Sequence, residues 1–208
     1  MATPIYHITH VNNLPGIIAA GGLWSDRRVQ QQGVNTVIGF DHIKRRRLEE
    51  IEVGCHSGTK VGDYVPFYFC PRSVMLYVID RRHEDLRYQG GQPEIVHLVS
   101  TVEAAVEAAG DRPWAYSDGN AGASYTKFYA DLSRMNDLID WDAVSAMNWA
   151  EPATRNRKQA EFLVHDHFPW AAFHEIGVID SSVEHQVLAA LGSASHRPCV
   201  RVHRGWYY

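Results

Sequence analysis

The chain has 208 residues, of which 45% are hydrophobic and 21% charged, with a formal net charge of −4. This composition can bury a core and excludes a disordered chain, a membrane-spanning helix and a protein that coats nucleic acid by bulk charge, leaving a local basic groove open. Three widely spaced cysteines, Cys55, Cys70 and Cys199, argue against a disulfide scaffold and a cysteine zinc site and fit a reducing cytosol, and Met1–His10 lacks a signal-peptide pattern.

In chain order, Pro4–Thr9 predicts a strand and Asn13–Ala20 a short helix stopped by Gly21-Gly22. Ser25–Gly39, with Gln30-Gln31-Gln32, has no clear period and predicts a long loop. Phe40–Ile51 predicts a helix with a basic run. Tyr64–Cys70 and Met75–Ile79 are aromatic and β-branched, which predicts two strands around the Pro71-Arg72-Ser73 turn. Ile95–Val99 predicts a strand, Thr101–Ala109 a helix, Ala115–Ala123 a loop rich in Gly, Asn and Asp, and Ser124–Leu138 a helix. Lys158–Val164, Glu175–Ile179 and Cys199–Val202 predict strands. Helices and strands interleave without a regular βαβ beat, so the expectation is one α+β domain over 1–208.

Twelve histidines invite a metal reading, yet no HExxH or Cys/His ladder is present, and most are expected to be ordinary surface or hydrogen-bonded residues. His165 and His167 would share one face if a strand ran through both. There is no GxxxxGK[ST], GxGxxG or GxSxG motif. Four windows stand out. In the first, Glu161 enters an apolar strand, sharing a face with Leu163 and His165 while Phe162 and Val164 take the other. A carboxylate there is costly to bury unless it is paired or used. A solvent-facing Glu161 paired with Arg157 or Lys158 is an equally good reading of this window. In the second, His7 and Thr9 share a face of the first strand and could offer hydrogen bonds to a bound amide or ribose. The third is Lys44-Arg45-Arg46-Arg47, whose ordinary fate is a solvated helix face. The fourth is Tyr64–Met75, either plain core or a platform for stacking a base.

Together, in their order, these windows resemble the DarT toxins, a family of DNA ADP-ribosyltransferases. The matching pieces are Ile5-Tyr6-His7-Ile8-Thr9-His10 with Asn13-Leu14, then Gly22-Leu23-Trp24-Ser25-Asp26, then His42-Ile43-Lys44 with Arg46 and Arg47. They continue through Asp63-Tyr64-Val65-Pro66-Phe67-Tyr68, Pro71-Arg72-Ser73 and Met75-Leu76-Tyr77 to Ser117-Asp118-Gly119-Asn120-Ala121 with Ser124-Tyr125. Gln159-Ala160-Glu161-Phe162-Leu163-Val164 and Tyr207-Tyr208 complete the set. The resemblance implies an ADP-ribosyltransferase fold, an α+β architecture with a split central mixed β-core flanked by helices. It implies NAD+ as co-substrate, no metal, and transfer of ADP-ribose to a base in single-stranded DNA, most often thymidine, with nicotinamide released. Guanosine in DNA, RNA and protein are the alternative acceptors. A DarG-like macrodomain antitoxin is the implied partner, with no membrane association and a monomer in the bacterial cytoplasm. By carry-over, Glu161 is the catalytic glutamate, and Arg47 is the catalytic arginine among three consecutive candidates, Arg45, Arg46 and Arg47. His7, Thr9, Asn13, Leu14, Tyr68 and Arg72 fall to the cofactor, and Lys44, Arg46 and Asn120 to DNA.

The chemistry suits these residue types. Scission of the nicotinamide–ribose bond develops positive charge on the sugar, which a fixed carboxylate stabilises. The acceptor nitrogen carries a weakly acidic proton, so its removal needs a neighbouring base or a cation that stabilises the deprotonated ring. Tyr68 and Phe69 alternate in a strand, so one of them at most can stack on nicotinamide.

Overall fold

The structure, a computed structural model, describes residues 2–32 and 40–208. Its elements are β1 (Pro4–His10), α1 (Leu14–Ala19), β2 (Gly22–Trp24), α2 (Asp26–Gln32), α3 (Asp41–Glu49), β3 (Tyr64–Tyr68), α4 (Val74–Asp80), β4 (Ile95–Thr101) and α5 (Val102–Ala109). They continue as β5 (Trp114–Asn120), β6 (Phe128–Tyr129), α6 (Met135–Leu138), α7 (Trp141–Ser145), α8 (Pro152–Arg157), β7 (Ala160–His165), β8 (His167–Pro169), β9 (Glu175–Val178), α9 (Ser181–Leu191) and β10 (Cys199–Val202).

The main sheet runs β10-β9-β4-β1-β3-β7-β5-β6, and β2 and β8 form a separate antiparallel pair. All neighbours in the main sheet are antiparallel except β9 and β10, which α9 connects as a crossover. Pairing is uneven. β1 and β4 match over seven residue pairs and β3 and β7 over five, but β1 meets β3 only at Tyr6 and Tyr68. The sheet is therefore two well-paired halves joined at a narrow seam, which is the split, mixed core the sequence implied.

Side-chain alternation gives the sheet two buried faces. Phe67, Phe162, Val164, Leu98 and Ile176 pack under α1, α5 and α9 in the largest cluster. The opposite face holds Tyr64, Ala115 and Leu163 against Ile51, Val53 and Val61, and Ile8 and Ile95 against Leu76 and Ile79 of α4. Each fully buried side chain of this size stabilises the fold by roughly 1.5–3 kcal/mol.

Four expectations about local structure are overturned. Ser25–Gly39 is not all loop, because Asp26–Gln32 is helical, and residues 33–39 lie outside the described residues. Met75–Ile79 is helix, not strand: Ser73 caps it by accepting the Leu76 amide proton at 3.1 Å, and Leu76 and Ile79 bury one helical face. Ala115–Ala123 is mostly strand. Gly119 is there because α8 crosses it, so that an added Cβ would fall 2.3 Å from Asn156 Nδ2, and the turn comes only after Asn120. Ser124–Leu138 is not one helix, since Phe128–Tyr129 pairs with β5 and the Tyr116 hydroxyl donates to the Asp131 carbonyl at 2.8 Å. His165 and His167 belong to different strands, separated by Asp166 with φ +64°.

His97, fully buried on β4, has its Nε2 3.0 Å from the Pro71 carbonyl and lies edge-on to Tyr6, Trp206 and Tyr207. Burial lowers its pKa to about 4, the nearby His203 assisting and the Pro71 and Gly177 backbone opposing. The unfolded chain would take up this proton below about pH 6.5 and the folded one only near pH 4, so stability falls as pH drops through that window, by roughly 3 kcal/mol from this residue alone. Denaturant titrations at pH 7 and pH 4 are expected to show this loss, and His97→Gln is expected to reduce the pH dependence.

Candidate active site

Glu161 lies on β7, between β3 and β5, directly across from Tyr68. Its side chain is 4% exposed, and that of Arg47, reaching in from α3, is 11% exposed. The two form a bidentate pair, Nη1 to Oε1 at 3.0 Å and Nη2 to Oε2 at 2.9 Å. The Ala121 amide donates to Oε1 at 3.3 Å. The Glu161 amide donates to Ser117 Oγ at 3.0 Å, and that hydroxyl donates to the Gly119 carbonyl at 2.7 Å. Thus the end of β5 fixes both the backbone and one carboxylate oxygen of Glu161. A carboxylate has about four acceptor positions, and three are used here, leaving one on Oε2.

The basic run separates into two faces. Arg45 and Arg46 form exposed i,i+4 pairs with Glu49 at 3.2 Å and Glu50 at 3.5 Å, the solvated outcome expected of a charge run. Arg47 shares the inner face with buried Leu48 and with Lys44, one turn earlier. Helical phase therefore selects Arg47 as the arginine at Glu161. Lys44 pairs with Asp26 of α2 at 3.2 Å. Burial would lower the Arg47 pKa, but Glu161, with a smaller contribution from Asp26, holds it above its ordinary value. Tyr68 keeps its proton far above the usual tyrosine range, because burial and the Glu161 carboxylate both raise its pKa against Arg47. The site thus presents a fixed carboxylate, a fixed guanidinium and a neutral phenol.

His7 lies at the seam. Its Nδ1 is 2.9 Å from the Pro66 carbonyl and its ring meets Phe67 edge-on at 5.9 Å. Burial lowers its pKa, Lys44 adds to the lowering, and the Pro66 carbonyl and Asp26 oppose it. A carbonyl only accepts, so Nδ1 carries the proton and Nε2 of the neutral ring is left as an acceptor. Asp26 is felt by both His7 and Arg47, and so connects the two halves of the site electrostatically.

The remaining sequence candidates are dispersed. Thr9 Oγ1 accepts from Asn13 Nδ2 at 3.1 Å, and the pair braces the corner between β1 and α1. Leu14 is fully buried in the main core, so its side chain is packing. Phe69 is core, edge-on to Trp141, which leaves Tyr68 as the ring on the Glu161 face. Arg72 lies past the end of β3 over the Tyr208 ring, at 4.4 Å. Asn120 accepts from the Gly122 amide at 2.8 Å and donates to Gln159 Oε1 at 3.1 Å, holding the turn that presents Ala121. The solvent-facing alternative for Glu161 fails: Arg157 pairs with Asp140 at 2.9 Å, and buried Lys158 donates to the Val144 carbonyl at 2.8 Å. Asp26, Ser117 and the Ala121 amide carried no signal as site residues in the sequence. All three lie within the windows that matched, but their contribution comes from folding α2 and β5 against α3 and β7. Among the described residues, no three His, Cys, Asp or Glu side chains gather as a metal site.

Residues 6–208 match the family model described as ssDNA thymidine ADP-ribosyltransferase, DarT. A DNA ADP-ribosyl transferase of Thermus aquaticus is 45% identical over 210 residues, covering 99% of this chain and 89% of that protein. The Thermus sp. 2.9 DarT solved in complex with ADP-ribosylated ssDNA superposes with a TM-score of 0.91 at 42% identity, covering 100% of this chain and 97% of that one. The same protein solved with NAD+ gives 0.83 at 40% identity, covering 100% and 98%. A Thermosipho africanus protein that fuses a DNA ADP-ribosyl transferase to a DNA ADP-ribosyl glycohydrolase is 29% identical over 165 residues, 77% of this chain and 38% of that protein. The chain belongs to the DarT family of single-stranded DNA thymidine ADP-ribosyltransferases.

Proposed function

We propose that this chain cleaves NAD+ and transfers the ADP-ribose to thymidine in single-stranded DNA, with Glu161 and Arg47 as its catalytic residues. The bidentate Arg47–Glu161 pair, buried beside the seam of the sheet, carries this reading. The free acceptor position on Glu161 Oε2 receives a hydroxyl of the nicotinamide-side ribose. The carboxylate then lies beside the sugar as it becomes cationic, and nicotinamide departs with the bonding electron pair. His7 Nε2 accepts a second hydroxyl and fixes the ribose, and Tyr68 flanks the nicotinamide. Thr9, Asn13 and the Leu14 main chain shape the same groove.

Arg47 uses two of its five N–H groups on Glu161 and has three left. These face the incoming thymine and stabilise the negative charge that develops on the ring as its N–H proton passes to solvent water and the ring nitrogen bonds to the ribose C1′ that nicotinamide has left. Lys44 and Arg46 border the DNA path from α3, and Asn120 supports its opposite side. The acceptor is taken as a single strand, so no base needs to be flipped from a duplex. All the residues named come from one copy of the chain, so the reading needs no second copy and takes the chain as a single-domain monomer. The Thermosipho fusion supports a DarG-like glycohydrolase as the partner that reverses the mark, and hence a bacterial cytoplasmic toxin–antitoxin setting. Among the described residues, no helix is long and apolar enough to cross a membrane.

Three substitutions test this. Glu161→Gln preserves volume and is expected to lower transfer to a thymidine-containing oligonucleotide by at least about 10²–10³, with NAD+ still bound. Mass spectrometry of the oligonucleotide reads the product, and full activity in this variant would remove the catalytic assignment. Arg47→Lys keeps the charge but loses the two-pronged contact, so it should depress the transfer rate more than NAD+ affinity, as single-turnover kinetics beside calorimetry would resolve. His7→Ala is expected to weaken NAD+ binding about five- to tenfold through the lost hydrogen bond. Protonation of His7 Nε2 removes the acceptor, so wild-type NAD+ affinity should decline as pH falls through the lowered His7 pKa, and the decline should be absent in the variant.

A further inference from the structure

α3 has little of its own to hold it in place. Leu48 is the only buried apolar residue among its described side chains, and three arginines follow one another within its nine residues. So short a helix with one core contact is not fixed by its own sequence. Yet Arg47, the neighbour of Leu48, must meet both oxygens of Glu161, at 3.0 Å and 2.9 Å. A guanidinium ~7 Å from a helix axis moves by about 1 Å when the helix turns by about 10°. A misplacement of about 1 Å can cost on the order of 10²-fold in rate.

Two contacts at the end of α3 supply the missing definition. The turn Val61–Asp63, just ahead of β3, passes directly over Leu48. A Cβ added at Gly62 would fall 2.7 Å from Leu48 Cδ2 and 2.8 Å from Leu48 Cα, so glycine is what lets the two segments meet. The second contact is Arg27 of α2. Its Nη2 donates to the Leu48 carbonyl at 2.8 Å, and its Nε donates to Asp63 Oδ1. A carbonyl in the last turn has no partner inside its own helix, and a cation is the favoured group at that end.

Asp63 is itself anchored. Its Oδ2 accepts the Lys60 amide at 2.7 Å, and its carbonyl accepts the Asp166 amide at 2.8 Å. Asp166 directly follows β7, the strand of Glu161. One planar guanidinium therefore ties the end of α3 to a turn fastened to the strand that carries the carboxylate. The Asp26–Lys44 pair joins α2 to α3 through side chains alone, whereas Arg27 grips the α3 backbone at the residue next to Arg47.

We propose that Arg27 is a positioning residue for the transfer step: by joining the Leu48 carbonyl to Asp63 it locks the rotation of α3, and with it the aim of Arg47 at Glu161 and at the acceptor base. The inference rests on Arg47 acting in that step.

The test is Arg27→Gln, whose wild-type side chain is 44% exposed, so that its loss opens no cavity. Asp63→Asn, which keeps an oxygen for the Lys60 amide, removes the clamp from the other side. Single-turnover transfer to a thymidine-containing oligonucleotide at saturating NAD+ is expected to fall at least about tenfold in each, with NAD+ affinity by calorimetry changed less than about twofold. In an Arg47→Lys background, Arg27→Gln is expected to cost less than about twofold more, because the group it aims is already gone. Hydrogen exchange read by mass spectrometry should quicken in α3 and stay unchanged in β1 and β7. Undiminished transfer by Arg27→Gln while Arg47→Lys is impaired would overturn the inference and leave the reaction assignment standing. An equal loss in both backgrounds, a matching loss of NAD+ affinity, or faster exchange throughout the chain would also overturn it, since Arg27 would then only support the fold. Full transfer by Arg47→Lys would overturn the reaction assignment itself.

Discussion

A buried carboxylate is the constraint around which this molecule is arranged. Glu161 enters a strand whose neighbours on both sides are apolar, and only 4% of its side chain reaches solvent. An ion removed from water in this way costs several kcal/mol, and its partner recovers that only with good geometry and further hydrogen bonds. Arg47 supplies the geometry and the Ala121 amide supplies the further bond. Much of the surrounding structure exists to hold those two donors: Leu48 fixes the rotation of α3, and Ser117 and Asn120 fix the end of β5. Such a pair is a poor way to stabilise a fold compared with two apolar residues, which is the reason to regard it as retained for its chemistry.

The seam between β1 and β3 brings His7 to this local arrangement. Every other pair of neighbouring strands shares two or more residue pairs, but here one residue pair spans the two halves. Backbone carbonyls freed by the missing ladder need partners, and the Pro66 carbonyl finds one in the His7 ring. Proline contributes no N–H to a ladder, so its presence at this edge agrees with the break. One histidine thus closes a gap in the sheet and, by donating through Nδ1, is obliged to present an acceptor on its other nitrogen.

The sequence disclosed some of this and concealed the rest for identifiable reasons. The ends of the chain, β1 and α1 and then β7, β9 and β10, were legible because apolar alternation and a glycine stop act locally. The strand around Glu161 even gave the correct faces, with Phe162 and Val164 in one cluster and Leu163 in another. Val74–Asp80 misled because its β-branched residues favour a strand, while Ser73 and the burial of Leu76 and Ile79 decide for helix. Gly119 misled because a glycine that admits a crossing helix looks the same in sequence as one that permits a turn. Which arginine meets Glu161 could not be read from three in a row, because helical phase depends on where α3 packs. Asp26 was hidden for the same reason, since only the folded placement of α2 brings it near His7 and Arg47.

The fastening of α2 has a consequence for the behaviour of the whole site. Three successive residues tie it to three different places: Asp26 to Lys44 on α3, Arg27 to Asp63 ahead of β3, and Arg28 to Asp166 between β7 and β8. The arginines and their partners remain partly open to water, so dissolved electrolyte competes with every one of these ties. Raising ionic strength therefore slackens a wall of the enzyme at the same moment that it loosens a polyanionic ligand. Any titration with salt records the two together.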